Sequence, residues 1–365
     1  MTAGTTTETA LQARVRDFIG QRPSDRVSMR RLPLKPLDEQ VVVVTGASSG
    51  IGLVTARTAA ERGAAVVLAA RNEEALAAAA AGIRDAGGRA VHVVADVGDP
   101  EDVARIARTA VEEFGRFDTW INNAGVSIFG GPDEVSLEDM RRMFDTDYWG
   151  VVHGSREAIA HARSTGGPVA IVMTGSVFGD RATLVQSTYS SAKHAVHGWT
   201  DALRMEMEAQ GVPVSVSLLH PGRIDTPYNE HAQSYLDRQP AHVGMVYPPE
   251  AVAEAALHAA THPVRDLFIG GQVKAFVVAA AIAPRLMDLV MEWHMIRSQQ
   301  DVRRPSRPRT SSALWSAGHG LRERGSHRGW FRSRSYYLTL EEHPRAALAL
   351  AAAGVVVGVR ALARR

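Results

Sequence analysis

From Gln40 onward the chain alternates between two kinds of segment. One kind is a short unbroken apolar run: Val41–Val44, Ala64–Ala70, Ala90–Ala95, Thr119–Asn122, Val169–Thr174, Val214–Leu219 and Leu267–Ile269. The other is an Ala-, Glu- and Arg-rich stretch of helical length. A strand with no polar alternation has both faces buried, which requires a parallel sheet covered by helices. Seven such strands alternating with helices predict an α/β fold, a doubly wound seven-stranded parallel sheet with helices on both faces. Right-handed crossovers then place the functional crevice at the carboxyl ends of the strands.

The flanks break this pattern and divide the chain into 1–37, 38–300, 301–345 and 346–365. Residues 1–37 are an extension with a Thr-rich start, a short amphipathic helix over Ala10–Ile19 and a Pro-limited end. No basic start leads into an apolar run, so no secretory signal is read. After the body, Val273–Ala283 is apolar and stops at Pro284. Residues 301–335 are rich in Arg, Ser, Pro and Gly, and 301–345 are read as a flexible basic linker. The 14 apolar residues Ala346–Val359 carry Gly354-x-x-x-Gly358 and are flanked by Arg345, Arg360, Arg364 and Arg365. A spanning helix needs about 20 apolar residues. This segment is therefore read either as a helix on an anionic membrane surface or as a packed or loose one.

Of 365 residues, 45% are hydrophobic, 22% charged and 6% aromatic, which excludes wholesale disorder, collagen and a multi-pass membrane protein. There is no cysteine, hence no disulfide scaffold, thiol nucleophile or cysteine-ligated metal. That usage fits a cytoplasmic location. The net charge of +2 hides an asymmetry: residues 301–365 hold 13 Arg against four acidic groups, leaving 28 basic and 35 acidic groups in the rest. Such a block reads as a solvated tail. It has few interleaved aromatics and no nucleic-acid-binding module, so no nucleic-acid partner is expected. Lysine occurs only at Lys35, Lys193 and Lys274, so Lys193 stands out in the body.

The first strand runs into Thr45-Gly46-Ala47-Ser48-Ser49-Gly50-Ile51-Gly52. Gly46 permits a tight turn, Gly50 lets a diphosphate approach the backbone, and Gly52 lets helix and strand pack closely. The following helix offers unpaired N–H groups and a positive dipole end to phosphates. This is a Rossmann-type signature, stronger for its place between strand and helix than for its glycines alone. The second strand ends at Ala70-Arg71-Asn72, where an NAD-selective site commonly has an acid. The guanidinium suits a 2′-phosphate and favours NADP(H) over NAD(H). Its bland alternative is a solvated charge at a helix start. Ser48 adds a hydrogen-bonding group, and Asp96 is placed to accept from an adenine amino group or to sit near a helix N-cap.

Tyr189 and Lys193 are i, i+4 and share one helix face. A free phenol, with a pKa of about 10, is a poor acid–base catalyst at neutral pH, and a neighbouring ammonium favours the phenolate. Ser176 lies 13 residues upstream of Tyr189, just after a strand. Singly these are a surface pair and a turn residue; in this order they form a set.

With Thr45–Gly52, Asp96, Asn122-Asn123-Ala124-Gly125, Ser176, Tyr189/Lys193 and Pro221–Thr226, the chain resembles the classical short-chain dehydrogenase/reductases over roughly residues 38–270. The resemblance implies reversible hydride transfer between a nicotinamide and a carbonyl or alcohol. It implies that Tyr189 moves the proton, Ser176 orients the carbonyl, and Lys193 tunes Tyr189 and holds the ribose. It implies that Asn123 braces the central strand and that Thr226 lies near the carboxamide. Cofactor contacts are expected along Gly46, Ser48, Ser49, Gly50, Ile51, Gly52, Arg71, Asp96, Val97, Asn123, Ala124, Gly125, Tyr189, Lys193, Pro221, Gly222, Ile224 and Thr226. A homodimer or homotetramer is also implied.

One position departs from the family pattern. Phe144-Asp145-Thr146-Asp147-Tyr148-Trp149-Gly150 puts Asp147 where the family has an Asn whose backbone holds a relay water. Asp keeps the shape, loses an amide donor and adds a charge. It is the one feature favouring a second reading, a nucleotide-binding sensor or scaffold with weakened catalysis. Tyr228, Tyr235, Met245 and Tyr247, with Phe178 beside Ser176, suggest either a lipophilic carbonyl or alcohol substrate or simple loop packing. His194 and His197, at i, i+3, have metal spacing without an evident third ligand, so no metal is expected.

Overall fold

The computed structural model describes residues 31–327, 329–332, 337 and 339. Its sheet comprises β1 (Val41–Thr45), β2 (Ala65–Ala70), β3 (Arg89–Val94), β4 (Thr119–Asn122), β5 (Val169–Thr174), β6 (Val214–Pro221) and β7 (Asp266–Ile269). The spatial order is 7-6-5-4-1-2-3, and all pairings are parallel. Each apolar run of the sequence is one of these strands, with ends shifted by two residues at most.

Helices cover both faces. Val42, Val44 and Leu68 face α1 (Gly50–Glu61), α2 (Glu73–Asp85) and α7 (Pro249–Thr261) through Leu53, Ala56, Leu76, Val252 and Ala256. Val41, Val43 and Val67 face α3 (Pro100–Phe114), α5 (Gly150–Thr165) and α6 (Ser187–Ala209). Local chemistry sets the helix ends. Asn72 caps α2 by accepting from the Ala75 N–H at 2.9 Å. Asp99 and Pro100 open α3, and Gly115 closes it at φ +79°. Between α4 (Leu137–Phe144) and α5 the chain makes a π-helical turn over Asp145–Trp149, which bends the helix.

The base of the sheet is tied by Asp118. Its carboxylate accepts from the Val41 N–H at 2.8 Å and pairs with Lys35 at 2.6 Å. Leu32 is buried, so the last residues of the 1–37 extension belong to the body. The helix read at Ala10–Ile19 and the apolar segment Ala346–Val359 lie outside the described residues. Val273–Ala283 falls mainly on α8 (Gly271–Ile282), followed by α9 (Pro284–Ser298). These two helices leave Ile282, Leu286 and Trp293 exposed. Among the described residues no helix is long and apolar enough to cross a membrane.

From residue 301, where a flexible linker is expected, the described residues as far as 327 find partners in the body. Residues 300–305 pair antiparallel with 238–240, and the chain then returns across the carboxyl end of the sheet. Composition alone reads as disorder, but the body supplies partners for the segment's backbone groups and arginines.

Helix α5 rests directly on β4 at Gly154, where a Cβ would stand 2.3 Å from both Asn122 Oδ1 and Trp120 Nε1. Those two atoms are hydrogen-bonded at 3.0 Å and buried. Gly154→Ala is therefore expected to cost about 2 kcal/mol of stability by overpacking. Urea denaturation of the variant against the parent measures it, and an unchanged midpoint would contradict the close approach.

Candidate active site

The switch in strand order lies between β1 and β4, and one side chain clamps it. Thr45 Oγ1 donates to the Ile121 carbonyl at 3.2 Å and accepts from the N–H groups of Asn123 and Ala124 at 3.0 and 3.1 Å. Asn123 Nδ2 donates back to the Thr45 carbonyl at 3.0 Å, so Asn123 braces β1 as expected. Gly46 turns at φ +68°, and a Cβ there would meet Ala124 Cα at 2.8 Å. A Cβ at Gly52 would lie 2.3 Å from the Gly46 carbonyl oxygen. Two glycines are thus required so that α1 can begin against the turn.

This frame opens a cavity of about 170 Å³ lined by Gly46, Ser48, Ser49, Gly50, Ile51, Arg71, Asp96, Val97, Asn123, Ala124, Gly125 and Thr226. Every residue expected at the adenosine and diphosphate end except Gly52 reaches it; Gly52 is consumed in packing. The glycine turn, the helix start and this polar lining fit a dinucleotide. Asp96 is not free: Arg142 Nη2 donates to its Oδ2, and its Oδ1 accepts from the Gly98 N–H at 3.0 Å. Arg71 lies 4.0 Å from Asp96 and donates to the Ala313 carbonyl and, at 3.2 Å, to the Leu314 carbonyl. Burial lowers the Arg71 pKa, with Asp96 opposing.

A second cavity of about 120 Å³ adjoins the first, sharing Ile51, Asn123, Gly125, Thr226 and Tyr228. Ser176, Tyr189, Lys193, Asp147, Pro221, Gly222 and Ile224 line it. Ser176 follows β5 and caps a single 3-10 turn, its Oγ accepting from the Phe178 N–H at 3.1 Å. Tyr189 and Lys193 lie on one face of α6, with Nζ 5.6 Å from the ring centroid. Nζ also donates to the Thr174 carbonyl at 3.2 Å.

Asp147 sits in the π-turn with no exposed surface. Its Oδ1 accepts from the Val126 N–H at 2.8 Å, and its Oδ2 lies 3.5 Å from Lys193 Nζ. Burial pushes the Asp147 pKa up more than Lys193 pulls it down. Burial alone would lower Lys193, but Asp147 and then Tyr189 hold it above its ordinary value. The departure from the family pattern is thus a buried carboxylate facing the one ammonium of the site.

Of the groups around Tyr189, the sequence singles out Tyr228 and Phe178 but not Phe129, Gln186, Ala241, His242 or Gln299. Tyr228 packs edge-on against Tyr189, with ring centroids 5.7 Å apart. Burial, and then Tyr189, raise its pKa well above the ordinary value. Phe129, Phe178, Gln186, Ala241, His242 and Gln299 form the end of the second cavity. His242 is pushed down to about 3 by burial and then by Arg223, so it is neutral. Tyr235, Met245 and Tyr247 are absent from this lining. Tyr235 bonds Ser136 and Asp139, and Tyr247 bonds Gln272. For these three the loop-packing alternative is the right one.

His194 and His197 do not act as a pair. His194 Nδ1 faces the Ser190 carbonyl. His197 instead joins Asp180 and His220, whose donor atoms lie within 4.8 Å of one another. Zinc-class ions accept such donors, but each of the three side chains already has a partner within the protein. His220 Nδ1 meets Asp180 at 2.7 Å and Nε2 meets Asp266 at 3.4 Å. His197 Nδ1 lies 3.6 Å from Asp180, and its Nε2 accepts from the Ser176 N–H at 3.5 Å.

Burial pushes Asp180 up, but the two imidazoles prevail and hold it far below the usual carboxylate range. Burial pushes His220 down, and Asp180 and Asp266 overcome it and raise its pKa. The Asp180 contribution to stability is present above its unfolded pKa of about 4 and fades as pH falls. The His220 contribution is present below about 6.5 and fades as pH rises through the raised value. Asp180→Asn should therefore cost about 2 kcal/mol, most between about pH 4 and 6.5. Urea unfolding across pH checks this; a pH-independent difference would contradict the charged cluster.

A family model described as short chain dehydrogenase matches residues 40–236. The protein named uncharacterized oxidoreductase YxnA, from Bacillus subtilis (strain 168), is 58% identical over 334 residues, 91% of this chain and 92% of its own length. A match that long in a chain of 365 residues necessarily runs past Gln300 into the C-terminal segment. A short chain dehydrogenase/reductase from Burkholderia phymatum in complex with NAD has a TM-score of 0.60 at 28% identity, covering 69% of this chain and 96% of that one. An alcohol dehydrogenase from the archaeon Thermococcus sibiricus complexed with 5-hydroxy-NADP has a TM-score of 0.55 at 26% identity, covering 63% and 95%.

Proposed function

The chain belongs to the short-chain dehydrogenase family, oxidoreductases with a nicotinamide-dinucleotide site, and from that premise we propose that it interconverts a carbonyl and an alcohol using NADP(H), with Tyr189 as the general acid and base. One observation carries the reading: Ser176, Tyr189 and Lys193 converge on a buried cavity that adjoins the dinucleotide cleft. The cofactor preference rests on Arg71, the cation lining the cleft where an NAD-selective site commonly has an acid.

A bound nicotinamide supplies or accepts the hydride. Gly46, Gly125 and the start of α1 would hold the diphosphate end, and Thr226 and Lys193 the nicotinamide end. In the reductive direction Ser176 donates a hydrogen bond to the substrate carbonyl and Tyr189 delivers the proton to the forming alkoxide. Lys193 favours the phenolate that remains. Asp147 shares that ammonium and weakens its pull on the phenol. The substrate end is apolar at Phe129 and Phe178, but Gln299 Oε1 is buried there without a hydrogen-bond partner among the described residues. That combination suits a compact lipophilic substrate carrying one hydroxyl to donate to Gln299.

The cofactor claim is tested by titrating the protein with NADPH and with NADH, following nicotinamide fluorescence. NADPH should bind more tightly, and Arg71→Ala should remove about tenfold of that preference. Equal affinities for the two in the parent protein would overturn it. With a panel of secondary alcohols, Tyr189→Phe should lose about a thousandfold in turnover. Asp147→Asn removes an anion from the site and favours deprotonated forms. Alcohol oxidation by that variant should reach half its maximum at lower pH than in the parent, with turnover kept or raised. A collapse of Asp147→Asn to the level of Tyr189→Phe would instead make Asp147 a required acid or base, and an inactive parent that binds dinucleotide would favour the sensor reading.

A further inference from the structure

The segment after residue 305 carries the strongest unassigned feature of the molecule. It crosses the mouth of the dinucleotide cleft, and Ala313, Ala317 and Gly318 form part of the lining of that cavity. Leu314 is completely buried. Its carbonyl and that of Ala313 take both outer nitrogens of Arg71, and Asn72 Nδ2 donates to the Gly318 carbonyl at 2.8 Å.

The contact nearest the phosphate end is more specific. The Leu321 N–H donates to the Ser48 carbonyl at 2.7 Å, and the Gly50 N–H donates to the Arg322 carbonyl at 2.8 Å. Gly50 opens α1, so a carbonyl of the chain's own C-terminal segment stands at the helix start where an anion would be favoured. Leu321 makes this contact at φ +62°, a left-handed conformation that a leucine adopts only under local constraint. Close approach is built in elsewhere as well: a Cβ at Gly320 would fall 2.0 Å from Ala75 Cβ.

Charge anchors the far side. Arg307 and Arg322 both pair with the buried Glu230 carboxylate, at 3.1 and 2.7 Å. Glu323 pairs with Arg57 on α1, and Arg324 with Glu250 on α7.

We propose that residues 306–325 are a strap belonging to the dinucleotide site: they roof its adenosine half, so that a bound nicotinamide dinucleotide leaves only when the strap lifts from Ser48–Gly50 and Arg71. The inference rests on the dinucleotide reading of the cleft and adds to it a slow, strap-controlled exchange. It also makes Arg71 a shared group. In the closed strap its donors meet main-chain carbonyls, and a 2′-phosphate must share or displace them.

The test uses the full chain and needs no substrate. NADPH is bound, then displaced by excess NADP⁺, and release is followed by stopped-flow nicotinamide fluorescence. Two variants loosen the strap by independent routes. Glu230→Gln removes the carboxylate under Arg307 and Arg322, and Gly320→Val forces the backbone away from Ala75. Thermal melts establish that each variant is folded; should one fail, the other carries the test. The expected result is slow release from the parent and about tenfold faster release from each folded variant. Equal release rates in parent and variants would overturn the proposal while leaving the dinucleotide site intact. Binding by the variants but not by the parent would also overturn it, since the strap would then block the cleft rather than roof it. If neither parent nor variants bind NADPH or NADH, the dinucleotide reading falls and the strap's role with it.

Discussion

Everything at the carboxyl end of the sheet depends on holding β1 and β4 in register while the chain leaves them in opposite directions. A parallel pair has no hairpin to fix it, and beyond Thr45 and Asn122 the ladder stops. The backbone donors just past the strands must find partners or remain buried and unpaired. Thr45 resolves this with one hydroxyl, giving its proton to Ile121 and accepting from Asn123 and Ala124. The Asn123 amide closes the loop from the other side. A glycine at 46 and another at 52 are then consequences, because the clamp draws Ala124 and Asn123 into the space where their side chains would be. The crevice that takes a dinucleotide is what remains between two loops tied in this way.

This explains which parts of the molecule were legible in the sequence. The seven strands were visible because burial on both faces demands unbroken apolar runs, and that demand is local to each run. Tyr189 and Lys193 were visible because helical spacing puts i and i+4 side by side. Thr45 was not singled out, since a threonine ending a β-branched run is unremarkable until its neighbours across the sheet are known. Nor was the end of the second cavity: Gln186, His242 and Gln299 come from three separated segments, and no spacing rule connects them. The aromatic residues of the loop before α7 left two readings open, and composition does not decide between them: Tyr228 lines the cavities, whereas Tyr235 and Tyr247 do not. Tyr235 and Tyr247 carry hydroxyls that needed buried partners, and Asp139 and Gln272 supply them away from the cavity.

The active site is electrostatically economical. The body has few lysines, and the one inside it is answered by a carboxylate in a helix turn that is already irregular. Asp147 lies in the π-turn and accepts from the Val126 N–H. What changes is the field at Lys193, where the ammonium is shared between a carboxylate and a phenol rather than aimed at the phenol alone. A few ångströms away, a separate chain of charges runs from Asp266 through His220 and Asp180 to His197 and ends on the Ser176 backbone. The pKa values of its imidazoles move in opposite directions: the two carboxylates that His220 bridges raise it, whereas burial dominates at His197 and lowers it. The serine loop is therefore fixed by a network separate from the one that holds Tyr189 and Lys193.

The charge asymmetry of the sequence takes on a different meaning in the fold. An acidic body and a basic C-terminal segment read as a globule with a solvated tail, and composition gives no means of seeing that the two signs are meant for each other. Arg307 and Arg322 converge on Glu230, and Arg324 meets Glu250, so part of the basic surplus is spent within the chain. A segment poor in apolar residues cannot fold on its own account, but it can dock where a preformed surface offers carboxylates and unpaired backbone groups. The carboxyl end of a doubly wound sheet is such a surface, because helix starts and loop carbonyls collect there. The same exposed backbone chemistry that makes the crevice receptive to a dinucleotide makes it receptive to the chain's own peptide groups. That is why the strap's carbonyls meet Gly50 and Arg71, two groups that the sequence had assigned to phosphate.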